Sequence, residues 1–469
     1  MLFSSTIFLF FFFPAVFLVY YGLSFSRLMQ NIWLFLMSLL FYAWGKPVNV
    51  LLLLGSIVVN WLAGVLLGGA KKPRIRKAIL VAACIVNLGV LGAFKYTGFV
   101  VEFLNSLFPQ NVLTPASIAL PIGISFFTFQ ALSYVIDVYK GTAAAEKNPF
   151  YVGLYISFFP QLIAGPIVRY NSIAEQIRSR KSSLKKISVG CCRFLVGLGK
   201  KVILANNLAI LADLVFGWSE LGTARMDLPV LTAWMGLAAY TLQIYFDFSG
   251  YSDMARGLGR MFGFEFLENF RYPYISVSVT EFWRRWHISL STWFREYVYI
   301  PLGGNRRGKG RQLLNLLIVW FLTGLWHGAS WNFALWGLYY AVLLILEKLF
   351  LLRVLEKLPK PAKHLYTLLV VMIGWALFYF EDLGALGEFM GRLWIPVPAS
   401  SGSLPLIASF LPLMAVAAFA ATPIPASLAV KRDTPALRFV KAAAAACALL
   451  LCVGALASQS YNPFIYFRF

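Results

Sequence analysis

Leu325-Trp326-His327-Gly328-Ala329-Ser330-Trp331-Asn332-Phe333 sets one imidazole between two apolar runs, 312–328 and 330–347. Similar runs recur along the 469 residues, at 4–24, 28–45, 48–69, 78–100, 116–138, 187–215, 229–255, 364–382, 405–422 and 436–458. Each is close to the 20 or so residues that cross a hydrocarbon core. The composition agrees: 60% of residues are hydrophobic, 13% are charged and mean hydropathy is +0.73, where a soluble domain carries about a quarter charged residues. No alternating pattern of barrel strands is present. The fold class is therefore an all-α polytopic membrane protein. An ionisable side chain in such a chain is costly unless it meets a partner or a cavity. His327, one of only three histidines, is for that reason a candidate functional residue.

Charge orders the helices. The net charge of +22 does not point to nucleic acid, because 33 of the 41 Lys and Arg fall in five clusters between apolar runs. These are Lys71–Lys77, Arg169–Lys201, Arg256–Arg311, Lys348–Lys363 and Lys431–Lys441. Such clusters mark the cytoplasmic side and sit well against anionic lipid headgroups. The apolar stretch 148–168 has basic residues at both ends and contains Pro160, Gly165 and Pro166, so it is expected to enter the bilayer and return. About twelve crossings result, with both termini outside the cytoplasm. One transmembrane domain spans 1–458, with its densest motifs at 120–345, and an aromatic tail, 459–469, follows. Leu2–Tyr20 lacks the basic start and small-residue cleavage site of a signal peptide, and reads as a retained helix. The five cysteines form no metal-ligand spacing, and no metal site or bound cofactor is expected.

The richest polar and aromatic pattern lies at 240–333. Asp247 and Asp253 stand six residues apart, on different faces of a helix, and suit anchoring of arginines such as Arg284, Arg285 or Arg295 better than paired acid–base work. Trp283, Trp286, Leu290, Trp293 and Tyr297 recur at helical spacing, as in an amphipathic helix lying in the membrane interface. His287 adjoins that aromatic face and can reach inward. Gly303-Gly304-Asn305-Arg306-Arg307-Gly308-Lys309-Gly310 approaches a phosphate-loop pattern. It carries Gly310 where Ser or Thr would hold magnesium, so it reads as a basic turn able to touch a phosphate-bearing donor. His364, beside Lys363, is expected to be exposed.

Four segments taken together resemble the membrane-bound O-acyltransferase (MBOAT) superfamily, and within it the bacterial alginate O-acetylation proteins. They are Phe159-Pro160-Gln161-Leu162-Ile163-Ala164-Gly165-Pro166, Asp247-Phe248-Ser249-Gly250-Tyr251-Ser252-Asp253, Trp283-Arg284-Arg285-Trp286-His287 and Leu325-Trp326-His327-Gly328. The resemblance implies a ring of about twelve tilted helices, with re-entrant and interfacial helices, around a thin central tunnel. It implies that His327 is catalytic and His287 a second functional histidine. Asp247, Asp253, Trp283, Trp286, Trp326 and Asn332 would support or line the site. The chain would then be an O-acetyltransferase of the bacterial cytoplasmic membrane. It would move acetyl from acetyl-CoA or another cytoplasmic acyl thioester toward an exported polysaccharide, with an extracytoplasmic acetyltransferase as partner.

An imidazole with an ordinary pKa near 6.5 suits the general-base step. The Tyr461-Asn462-Pro463-Phe464-Ile465-Tyr466-Phe467-Arg468-Phe469 tail is similar to the acyl-carrying tyrosine tail of the small peptide used in teichoic-acid D-alanylation. It makes Tyr466, or else Tyr461, a candidate acyl relay, and an interfacial aromatic belt is the plainer reading. Transfer of D-alanine or another acyl group to a wall polymer is the alternative within the class. A transporter or channel is the alternative outside it.

Overall fold

The computed structural model describes residues 1–108, 113–114, 118–217, 229–396, 403–430, 435–458 and 464–465, and every regular element among them is a helix or helical turn. Helices cover the predicted apolar runs. Four of them, Asn49–Gly69, Pro73–Lys95, Leu184–Phe216 and Lys360–Tyr379, are long and apolar enough to cross a membrane by length and composition. Their outward residues, Leu51, Leu62, Leu66, Ile85 and Leu365 among them, are bare hydrocarbon, as a lipid-facing surface requires.

Where boundaries differ from the sequence reading, local chemistry accounts for it. The 116–138 run becomes helical only at Ile124, because Gly123 adopts φ +79 and caps that helix. The 78–100 run starts early, at Pro73, whose fixed φ suits a first turn.

The chain divides into two compact units, Met1–Phe194 with Tyr251–Leu267, and Leu195–Gly250 with Glu268–Phe469. In the first unit, the 148–168 stretch forms two short helices, Pro149–Ser157 and Phe159–Leu162, bent at Phe158 and buried from Val152 to Val168. Arg180 ties this unit together. Its Nε donates to the Tyr20 hydroxyl and to Phe262 O at 3.0 Å each, and its guanidinium reaches Asn31 Oδ1 at 2.7 Å. Asp253 belongs to this unit and pairs with Arg193 at 2.6 Å.

The second unit holds the histidines. The helix Lys309–His327 packs on Trp331–Leu346 at very close range. A Cβ on Gly324 would strike Phe333 O, one on Gly337 would strike Trp320 O, and one on Gly328 would strike the Phe333 ring. Small residues at such a crossing let backbones approach, the usual device where water supplies no drive to associate. The two helices and the short Gly328–Ser330 link form a stiff mount for His327.

The segment predicted as one interfacial helix is instead two short buried helices, Val279–Arg285 and Ile288–Phe294. Trp283, Trp286, Leu290, Trp293 and Tyr297 are all at most 9% exposed, so the aromatic face packs on protein. The buried Glu347 carboxylate fixes the start of the first helix, accepting from Val279 N at 2.7 Å, Thr280 N at 2.8 Å and Thr280 Oγ1 at 2.6 Å.

Gly337→Leu is expected to force the two-helix mount apart and to cost about 1–3 kcal/mol of stability. The midpoint of thermal unfolding in detergent should fall accordingly. Gly55→Ala, at a glycine with nothing within 4 Å of an added Cβ, should leave it unchanged.

Candidate active site

His287 sits between the two short helices with φ 43 and ψ 54, the left-handed region that side chains with a Cβ rarely occupy. Asn269 holds it there. Asn269 Oδ1 faces His287 Nδ1 at 3.2 Å and accepts from Ser289 N at 3.1 Å and Ser289 Oγ at 3.0 Å, while Asn269 O accepts from Ile288 N at 3.0 Å. With the amide oxygen facing it, Nδ1 carries the proton and donates, and Nε2 is left with its lone pair. That nitrogen is buried with no hydrogen-bond partner among the described residues. Desolvation in this setting pushes the imidazole down to about 3, so it is neutral through the physiological range.

His327 ends its helix and is 5% exposed. Aromatic edges and faces surround its ring: Trp326 at 4.9 Å, Trp336 at 5.1 Å and Phe378 at 5.2 Å between centroids. Trp326 also links the two histidines, its ring lying 6.1 Å from that of His287. Phe248 closes on His287 from another side at 4.7 Å.

Around them, Trp283 meets Trp336 at 5.5 Å and Tyr340 at 4.8 Å, and Trp286 meets Trp375 at 4.8 Å. The wall is aromatic but not wholly apolar. Trp283 Nε1, Trp336 Nε1 and the Tyr340 hydroxyl are buried without a hydrogen-bond partner among the described residues. Buried polar groups are almost always paired, so these orphans are groups that a polar ligand would satisfy.

Of the residues picked out by sequence, His287, His327, Trp283, Trp286 and Trp326 come together here. Asn332 acts from behind. Its Nδ2 donates to Leu377 O and Phe378 O at 3.3 Å each, pinning the end of the Lys360–Tyr379 helix, whose own Phe378 packs on His327.

Asp247 does not anchor an arginine. It pairs with Lys201 at 2.6 Å, both side chains being 2% exposed. Arg285 is taken by Glu281 at 2.8 Å, and Asp253 by Arg193. Lys201 thus leaves the cytoplasmic cluster for the interior, where a charge survives only beside its opposite. His364 is half-buried rather than exposed, its Nδ1 3.2 Å from Ser276 O. Tyr466 and Tyr461 lie outside the described residues.

The sequence reading missed Asn269, Phe248, Trp336, Phe378 and Lys201. Phe248 stood inside the quoted Asp247–Asp253 segment and Lys201 closed a basic cluster, and Asn269 showed only as a lone amide between Glu268 and Phe270.

A surface concavity of about 250 Å³ opens on the basic turn, lined by Arg295, Tyr299, Ile300, Gly303, Gly304, Asn305 and Arg306. Gly303 and Gly304 take φ +105 and +57 there, and Asn315 Nδ2 holds the turn by donating to Gly304 O at 3.0 Å.

The profile of the MBOAT, membrane-bound O-acyltransferase family matches residues 146–383, a span that contains both histidines and the tryptophan wall. The chain belongs to the membrane-bound O-acyltransferase family. It is 40% identical to a probable alginate O-acetylase AlgI of Pseudomonas putida over the whole of both chains. It is 35% identical to a peptidoglycan O-acetyltransferase of Helicobacter pylori, over 82% of this chain and 78% of that one. To a teichoic acid D-alanyltransferase of Bacillus subtilis it is 28% identical, over 59% and 70%. Membership of this family makes the protein a multi-pass membrane O-acyltransferase and removes the transporter and channel readings.

Asn269→Ala is expected to lower acyl transfer tenfold or more at normal abundance, because misaligned reacting groups lose much of the gain from orientation. Asn269→Asp should instead keep the Nδ1 contact and place a carboxylate beside the ring, raising its pKa. Nε2 would then be protonated at higher pH than in wild type. A pH–rate profile should show activity falling on acidification from a higher pH in N269D than in the parent.

Proposed function

We propose that this membrane protein transfers an acetyl group from a cytoplasmic acyl thioester toward the hydroxyls of an exported or envelope polysaccharide, with His327 as general base. The observation that carries the reading is two buried imidazoles joined through Trp326 in an aromatic wall that holds orphaned indole N–H, hydroxyl and imidazole nitrogen groups. His327 takes the proton from the acceptor hydroxyl as that oxygen attacks the thioester carbonyl. The tetrahedral intermediate collapses, the carbon–sulfur bond breaks, and the departing thiolate recovers the proton from the imidazolium. His287, neutral and with Nδ1 spoken for, presents Nε2 to a hydroxyl or amide of the bound donor or acceptor. The indole N–H groups of Trp283 and Trp336 are donors of the kind that stabilises a developing oxyanion.

Acetyl is favoured over D-alanyl because the two relatives named for O-acetyl transfer match more of the chain at higher identity than the D-alanyltransferase does. A phosphate-bearing thioester, acetyl-CoA or a carried phosphopantetheine, suits the concavity at the basic turn, where Arg295 and Arg306 supply charge. The setting is the bacterial cytoplasmic membrane, with the termini on its outer side. There Tyr466 receives the acyl group as a phenolic ester and hands it to a separate extracytoplasmic acetyltransferase. The polysaccharide named in the first relative, alginate, heads the list of acceptors.

His327→Ala is expected to cut transfer from labelled donor by about 10²–10⁴-fold, the usual worth of a general base, with unchanged membrane abundance. Transfer at the parental rate would end its role. Arg306→Ala should raise the KM for acetyl-CoA several-fold with kcat little changed. An acyl adduct on Tyr466 should be visible by mass spectrometry in a hand-off-deficient background. Its absence, with full activity in Tyr466→Phe, would remove the relay while leaving the general-base step standing.

A further inference from the structure

The buried Lys201–Asp247 pair is not used by the chemistry above, and it has a third participant. Asp247 Oδ1 meets Lys201 Nζ, while Asp247 Oδ2 accepts a hydrogen bond from the backbone N–H of Ile465 at 2.8 Å. Phe464 lays its ring 5.7 Å from the same ammonium, and Phe464 and Ile465 are 6% and 7% exposed.

The helix Pro435–Ser458 ends only six residues before Phe464, a stretch that spans at most about 20 Å. Phe464 and Ile465 are thus held inside the second unit, close in sequence to the end of its last helix.

The contact is built on both sides. Lys201 lies in the wide helical turn Lys200–Ala205, and a Cβ on Gly250 would sit 2.8 Å from Gly197 O and 3.1 Å from Lys201 N, so only glycine lets this turn approach the Asp247 helix. Asp247 precedes Phe248, the residue whose ring touches His287.

We propose that Asp247, charge-balanced by Lys201, is a positioning residue that clamps the C-terminal segment by its Phe464–Ile465 peptide, and that acyl transfer through Tyr466 depends on this clamp. The physical logic is that of an unfinished ion pair. One carboxylate oxygen satisfies the lysine. The other, deep in an apolar interior, needs a donor, and a main-chain N–H supplies one without adding charge. The clamp concerns where the segment sits and stands whether or not Tyr466 is acylated. Its consequence for transfer rests on the relay reading above.

The test uses the full-length protein in a cysteine-free background, with Phe469→Cys as a reporter labelled by a membrane-impermeant maleimide. Asp247→Ala alone would strand the lysine charge and risk misfolding, so it is paired with Lys201→Met. Removing both charges together is commonly neutral for folding. The D247A/K201M protein is expected at parental abundance and thermal midpoint. The reporter should label about tenfold faster, and the acyl adduct on Tyr466 should fall at least tenfold.

Parental labelling in the double variant would overturn the clamp. Faster labelling with an undiminished adduct would overturn its positioning role, showing that the contact does not hold the segment for transfer. A Tyr466→Phe protein that is fully active would sink the relay alone, since the labelling rate would still decide the clamp.

Discussion

Polar groups in a low-dielectric interior persist only where the same chain supplies their partners, and the second unit is organised by that constraint. Asn269 gives one oxygen to an imidazole, a hydroxyl and an amide N–H, which fixes His287 in a backbone conformation it would otherwise leave. Glu347 closes the N-terminus of the helix that carries Trp283. Lys201 and Asp247 neutralise each other and hold a peptide of the C-terminal segment. Groups left without partners stand out against this background. Among them, Trp283 Nε1, Trp336 Nε1, the Tyr340 hydroxyl and His287 Nε2 lie around the two histidines.

The candidate centre also depends on a close mechanical fit. His327 has no regular element of its own beyond the last turn of its helix, and its orientation comes from the glycine contacts at 324, 328 and 337 and from the rings of Trp336 and Phe378. Asn332 reaches across to pin the helix end next to Phe378. A histidine so enclosed has little rotameric freedom, and holding reacting groups in place is a large part of what a transferase contributes. The aromatic wall adds a second property. It excludes bulk water, and in the proposed reaction water would compete with a hydroxyl acceptor for the thioester.

The sequence showed much of this, for identifiable reasons. Length and hydropathy are local quantities, so the apolar runs coincide with helices throughout the described residues. The buried bend at 148–168 was visible in the placement of Pro160 and Gly165 between two basic ends. His327 stood out because imidazole is rare in such company. The aromatic stripe from Trp283 to Tyr297 was also visible, but its setting was not. Spacing shows that a face is apolar and cannot say whether lipid headgroups or another helix covers it. The same gap explains Asp247. Six-residue spacing excluded a dyad with Asp253, yet nothing local could point to Lys201, which is forty-six positions away and sits among residues that read as a cytoplasmic cluster.

By itself, then, the order of residues determined an all-helical membrane chain, the family it joins and the two histidines that the fold brings together. Those properties follow from composition, periodicity and short motifs, which are carried by neighbours along the chain. Tertiary structure decided that His287 is a neutral acceptor aimed by Asn269, that the tryptophans form a wall and not an anchor, and that a buried lysine and aspartate hold the end of the chain. Each of these depends on pairs far apart in sequence. Burial sets their energies, and it exists only once the helices have packed.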